Sequence, residues 1–335
     1  MSIAALFTAV AMAQTSPQYS AALAGKAEAM WELPTAAPPH AVLFVAHGCS
    51  HAATDFWAPS KACPKALGLP EEVRLRKMAL AAGYAVIGIS SQDRNSGCWH
   101  FELDGDVVKD ALAAWFTLTN LPPTLPLVAF GASSGGAFVL QLPGLVPNLR
   151  AVVSQIMAVP PSMLSASHPP TMFVHMPRDQ RTAAFVSRCM KRLAQAGVAA
   201  REVEVQPVRP TAGFFLKRIE RLAPATAIKL HDALKRSGLL NASGHLADDP
   251  RRSPWREAIR STPGLLEALP GPSPDGAPDS LIGDESAVSE ALNVAWAMHE
   301  IVSDPTEDML RWLAELNVGF KATSRASVEA SSELR

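Results

Sequence analysis

Six short apolar segments, separated by stretches with helical periodicity, constrain this chain more than any other feature. They are His40–Gly48 (HAVLFVAHG), Tyr84–Ser91 (YAVIGISS), Leu125–Ser134 (LPLVAFGASS), Leu149–Val159 (LRAVVSQIMAV), Thr171–Asp179 (TMFVHMPRD) and Ala199–Val208 (AAREVEVQPV). Short runs rich in Val, Leu, Ile and Phe read as strands covered on both faces. Between them the pattern switches to helix. Leu69–Ala82 opens with Pro70, Glu71 and Glu72 and closes at Gly83. Asp106–Leu118 offers Val107, Val108, Leu112, Trp115 and Phe116 for one broad face. A helix follows from about Gly136, and Thr182–Ala196 is stopped by Gly197. Strands alternating with helices predict an α/β fold: a mostly parallel sheet flanked by helices, with right-handed crossovers.

The rest of the chain divides around this core, which spans 40–208. Residues 15–39 are rich in Ala and Pro without a clean period and read as a lead-in that wraps the surface. After Val208 come helical pieces (GFFLKRIERL, ATAIKLHDALKRSG, PWREAIRST) and the loop Leu269–Ser280, so 209–290 reads as an inserted or appended helical lobe. Residues 291–322 return as a helical part of the core, anchored by Trp296, Ile301, Met309, Leu310, Trp312 and Leu313, and 323–335 as a polar, disordered tail. With 335 residues, 48% of them hydrophobic, the chain has ample material for a buried interior. A net charge of −1 without a long basic run argues against a nucleic-acid surface. No apolar stretch in the body of the chain is long enough to cross a membrane.

Two features bear on compartment. Ile3–Ala13 is an apolar run with Ala11 and Ala13 in the small-residue pattern of a cleavage point, but no Lys or Arg precedes it. A signal peptide within 1–13, and with it a secreted or endomembrane location, and an Ala-rich terminus of a soluble intracellular protein both fit. The sequon Asn241-Ala242-Ser243 matters only in the first case. The four cysteines allow three full pairings; Cys49–Cys63 and a bridge to Cys98 both stay open, and Cys189 reads as a buried thiol.

The chemistry concentrates at Gly131-Ala132-Ser133-Ser134-Gly135, a G-x-S-x-G match directly after an apolar strand and before a helix. Such a turn lifts a serine hydroxyl above the sheet edge, and the helix N-terminus beyond it favours developing negative charge. Ser134 competes as nucleophile, but choosing it loses the first glycine, which leaves Ser133. His47-Gly48-Cys49-Ser50 ends an earlier strand, where the N–H of Cys49 can pair with that of Ser134 as an oxyanion hole. His47, Cys49, His51 and Cys63 are also zinc-ligand types, but their order matches no common spacing, so no metal and no cofactor are expected. The orienting acid is expected between the serine and the histidine. Asp179, after the fifth strand, fits that role and equally fits a helix cap. His175 lies inside a strand and His231 on a charged helix. His245 and His299 both satisfy chain order, and His299, among apolar neighbours, has the better setting. Phe56, Trp57, Trp99 and Phe101 follow strands at the active edge and are candidates to line a substrate pocket, or to pack under the loops.

Together these residues resemble the α/β-hydrolase superfamily over about Ala41–Val208 plus the late histidine. The likeness is closer to a plant and algal group within it, through His47–Trp57 (HGC-x-H-x-x-x-DFW), Phe130–Gly136 (FGASSGG) and Leu292–Glu300 (LNVAWA-x-HE). The resemblance implies hydrolysis through an acyl-enzyme, with Ser133 attacking, His299 as base and Asp179 as its orienter. About ninety residues separate the last strand from His299, which has a helical setting, so the inserted lobe must return the chain to the active edge. The expected substrate is a small-molecule or lipid-like carboxylic ester. A peptidase or amidase with the same triad, and a non-catalytic small-ligand-binding protein on the same fold, are the alternatives. Oligomeric state is left open.

Overall fold

The computed structural model describes residues 16–271 and 277–318; the run Ile3–Ala13 and the tail 323–335 lie outside them. One eight-stranded sheet contains β1 (Gln18–Leu23), β2 (Ala27–Glu32), β3 (Ala41–Ala46), β4 (Tyr84–Ile89), β5 (Leu127–Ala132), β6 (Leu149–Gln155), β7 (Thr171–His175) and β8 (Ala200–Glu204), in the order β1-β2-β4-β3-β5-β6-β7-β8. β2 is antiparallel to both its neighbours, and every pair from β4 to β8 is parallel. The predicted α/β class is the one observed, and this strand order is that of an α/β-hydrolase sheet. The helices are α1 (Pro70–Ala81), α2 (Phe101–Thr119), α3 (Ser134–Val139), α4 (Gln180–Gln195), α5 (Ala212–Arg218), α6 (Pro224–Arg236), α7 (Trp255–Arg260), α8 (Ala287–Trp296) and α9 (Thr306–Glu315).

Strand alternation distributes the core between the two faces. Val42, Phe44 and Ala46 of β3 join one buried cluster with Leu112 and Trp115 of α2 and Val186 and Leu193 of α4. Leu43 and Val45 join the other, with Leu75 and Ala79 of α1 and Met309 and Leu313 of α9. All six residues of β3, β4 and β5 are therefore buried, which is why these segments show no polar alternation. Phe215, Leu230, Trp255 and Leu292, from α5 to α8, centre a third cluster. No helix among the described residues is long and apolar enough to cross a membrane.

Two expectations are corrected here. The segment 15–39 is no surface lead-in: it holds the β1–β2 hairpin, closed by a turn with Ala24 and Gly25 at positive φ (52° and 76°). Its strand signal is weak because β1 is half-exposed and β2 (AEAMWE) is poor in β-branched residues. Nor is the described part of 291–322, which ends at 318, one helical stretch. α8 ends at Trp296, with Ala297 left-handed at φ 55°, and α9 starts only after Pro305. The left-handed turn at Ala297 ends α8 and Pro305 sits at the cap of α9, so His299, between them, lies on an irregular segment rather than a helix.

Candidate active site

The turn between β5 and α3 forces Ser133 into a strained conformation, φ 53° and ψ −121°. Its N–H donates to the Gln155 carbonyl at 3.0 Å, tying the turn to β6. A Cβ at Gly131 would overlap the Gly135 carbonyl, and one at Gly135 would overlap the carbonyls of Ala46 and His47. The glycines of the pentapeptide are thus required by backbone packing. Gly131→Ala is expected to lower the unfolding free energy by about 3 kcal/mol, read from urea unfolding. An unchanged midpoint would mean the turn is looser than described.

Parallel strands end together, so β3, β5 and β7 deliver their following residues to one edge. There Ser133 Oγ lies 3.0 Å from His299 Nε2, and His299 Nδ1 lies 2.7 Å from Asp179 Oδ2. A carboxylate only accepts, so Nδ1 carries the ring proton and Nε2 faces the serine hydroxyl as an acceptor. Asp179 also caps α4: its Oδ1 accepts the Thr182 N–H at 3.0 Å. Cap and His299 partner, alternatives in the sequence, coexist because the carboxylate has two oxygens. Burial pushes the Asp179 carboxyl up, but the hydrogen bonds from His299 and Thr182 outweigh it and hold it below the ordinary carboxylate range. The other histidines are engaged elsewhere: His175 with Glu202, His231 with the Pro210 carbonyl, His245 with Ser243.

Polar residues that sequence reasoning does not single out secure the irregular segment carrying His299. Gln155 exchanges two hydrogen bonds with the Val302 backbone, at 2.9 and 3.0 Å. Buried Glu71 accepts from the Ser303 N–H (2.7 Å) and hydroxyl (2.6 Å). The Arg178 N–H donates to the Ala297 carbonyl at 3.3 Å, and its guanidinium donates to the Trp296 carbonyl and covers the Trp296 ring. This joins the Asp179 loop to the His299 loop. The available signal is Gln155, a polar residue closing a strand whose middle residues Ala151, Val152 and Val153 are apolar.

The loop after β3 faces Ser133 from the other side, where a Cβ at Gly48 would meet the serine Cβ at 3.6 Å. Burial pushes His47 down to about 4, so its ring is neutral. Its Nδ1–H donates to the Gly48 carbonyl at 2.7 Å and its Nε2 accepts the Ser91 N–H at 3.1 Å. In a planar trans peptide the next N–H points opposite the carbonyl, so the Cys49 N–H is directed away from His47. Cys49 is disulfide-bonded to Cys98, which fastens this loop to the β4–α2 connection. With its sulfur in that disulfide, Cys49 offers no thiolate to the zinc set His47, Cys49, His51 and Cys63, of which Cys63 is a free, buried thiol. The Ser134 hydroxyl, the competing nucleophile, accepts the Trp99 N–H at 3.3 Å.

A pocket of about 190 Å³ opens on these groups, lined by Cys49, Ser133 and His299, by apolar Ala132, Ile156 and Ile301, and by His51, Glu72, Arg251, Asp284 and Glu300. Burial pushes the Glu72 carboxyl up to about 7 and raises Glu300 as well. None of the aromatic candidates reaches the pocket. Phe56 and Trp57 are fully buried, Trp57 donating its ring N–H to Glu32 at 3.0 Å. Trp99 stacks on Phe138 and donates to the His47 carbonyl at 3.0 Å. Phe101 starts α2 and packs against the core. These side chains support the loops instead of lining the pocket, because rings that close a core beneath a loop leave no face for a ligand.

No family model matches the chain, and no curated protein matches it. Among solved structures it is similar to a truncated form of a carbohydrate esterase from gut microbiota, at 14% identity over 58% of this chain and 89% of that one (TM-score 0.43). It is also similar to a sugar hydrolase from Lactococcus lactis, at 11% identity over 60% and 87% (TM-score 0.44). A dienelactone hydrolase from Anabaena variabilis shows 18% identity over 57% and 87% (TM-score 0.38).

Proposed function

We propose that this protein is a serine hydrolase that cleaves carboxylic esters through an acyl-enzyme intermediate. One observation carries the reading: the continuous hydrogen-bonded chain from Ser133 Oγ through the His299 ring to Asp179, set at a strained strand-to-helix turn. His299 Nε2 takes the Ser133 proton as Oγ bonds to the ester carbonyl carbon, and the carbonyl π electrons move to its oxygen. The N–H groups of Cys49 and Ser134 hydrogen-bond that oxyanion. Collapse breaks the ester C–O bond, and the departing alkoxide takes the proton from His299. Water, deprotonated by the same nitrogen, then attacks the acyl-serine, and Ser133 regains its proton as the acid leaves. Asp179 keeps the imidazole in the required tautomer throughout. The resemblance of the three motifs to a plant and algal group of α/β-hydrolases supports the same reading.

The pocket at Ser133 is small beside the roughly 300–1,000 Å³ of sites for drug-sized ligands, and its apolar wall is short. The expected acyl group is therefore a short one. A fluorophosphonate probe is expected to label Ser133, located by peptide mass analysis. In a p-nitrophenyl ester series, kcat/KM is expected to fall roughly tenfold or more between acetate and octanoate. An unlabelled native protein without turnover on any ester would refute the hydrolase reading; rising kcat/KM with chain length would refute only the short acyl group.

A further inference from the structure

The reaction leaves one histidine of the HGC-x-H motif unused. His51 lines the Ser133 pocket and also a second, larger cavity of about 600 Å³; Ser50 borders both, so the two spaces adjoin. The larger cavity lies beside the β1–β2 hairpin, and its charged walls are Lys26, Glu28, Asp55, Lys65 and Arg94.

Its two acids are each matched by a cation. Glu28 pairs with Lys65. Asp55 accepts from His51 Nδ1 at 3.1 Å and from the Ala52 N–H at 3.0 Å. Burial pushes the His51 ring down, but the hydrogen bond to Asp55 and the charges of Glu72, Asp55 and Glu300 outweigh it and bring it up to about 9, so His51 is a cation at neutral pH. Two cations stand in excess. Arg94 directs both terminal nitrogens to the His51 carbonyl at 3.2 Å and forms no ion pair among the described residues. Lys26, exposed in the hairpin turn just before β2, likewise forms none there, although its charge is felt at Asp106. A planar guanidinium and a mobile ammonium at the rim of a polar cavity are suited to oxygen anions.

We propose that this cavity is a recognition subsite for an anionic oxygen group, carboxylate or phosphate, borne by the part of the substrate remote from the scissile ester, with Arg94 and Lys26 as its contacts. The proposal rests on the serine-hydrolase reading, since the substrate is taken to span from Ser133 past His51 into the cavity.

Three esters with one acyl group test it: 1-acetylglycerol, 1-acetylglycerol 3-phosphate and 3-O-acetylglycerate. At low salt, kcat/KM for one or both anionic esters is expected to exceed that for 1-acetylglycerol by roughly ten- to a hundredfold. A preference confined to one of them assigns the phosphate or the carboxylate. Arg94→Gln is expected to bring the ratio towards one. Because Arg94 also braces the His51 carbonyl, Lys26→Gln in the exposed hairpin is a second variant, expected to move the ratio the same way. A ratio of one or less in the native protein, with Ser133 labelled by the probe and 1-acetylglycerol hydrolysed, overturns the subsite and leaves the hydrolase standing. A ratio that survives both substitutions overturns the residue assignment. Should Ser133 resist the probe and no ester turn over, the hydrolase reading fails. The cavity is then judged by calorimetric titration of the native chain with glycerol 3-phosphate and glycerate against glycerol, where a lack of anion-selective binding overturns the proposal.

Discussion

Ser133→Ala is expected to lower kcat on p-nitrophenyl acetate by about 10⁵- to 10⁶-fold, with KM changed little. Removing Oγ removes the atom that forms the acyl-enzyme, and no neighbouring hydroxyl replaces it: the Ser134 Oγ is turned to the Trp99 N–H. The remaining rate would come from the Cys49 and Ser134 N–H groups acting on a water-mediated reaction, at about 10³- to 10⁴-fold over water. The fold should survive, because alanine is smaller than serine and the strain at φ 53° belongs to the turn. The thermal midpoint of the variant, measured beside its steady-state rate, separates lost chemistry from lost structure. Retention of more than a tenth of native turnover in a preparation free of host esterases would remove Ser133 as nucleophile.

His299→Ala is expected to cost nearly as much in kcat, about 10⁵- to 10⁶-fold, for a different reason. The serine remains, but nothing among the described residues within hydrogen-bond distance accepts its proton, since the 3.0 Å contact to Nε2 is lost. Labelling of Ser133 by the fluorophosphonate probe should slow in parallel, because phosphonylation needs the same activated oxygen. Added imidazole should restore part of the rate by entering the vacated space. His245, bonded to Ser243, is the control: its alanine variant should stay within about twofold of the native rate. A large loss in His245→Ala with a small one in His299→Ala would reverse the assignment of the base.

The candidate site was unevenly legible in the sequence. The turn at Ser133 is legible in five residues because Gly131 answers a local overlap with the Gly135 carbonyl, although Gly135 itself also answers the distant carbonyls of Ala46 and His47 at the end of β3. Asp179 was legible as a residue following a buried strand, but its double use was not, since helix capping is local whereas its contact with His299 spans 120 residues. The apolar setting of His299 is legible locally, whereas what places it is Gln155, Glu71 and Arg178, buried or half-buried groups whose partners lie far along the chain. For Trp57 and Trp99 the sequence leaves cleft and core open, because an aromatic residue after a strand has the same local signature whether it lines a cleft or closes a core.

By itself, the sequence determined the parallel sheet, the strained serine turn and the loop after β3. Each depends on periodicity or backbone sterics acting over a few residues, and such signals survive without knowledge of the chain path. Only the tertiary structure decided the β1–β2 hairpin, the Cys49–Cys98 pairing, the burial of the aromatic candidates and the irregular course of 297–305. It also decided the meeting of Ser133 with His299 across 166 residues. These depend on which distant backbone and side-chain groups satisfy one another when buried, and that pairing is selected by the packed whole.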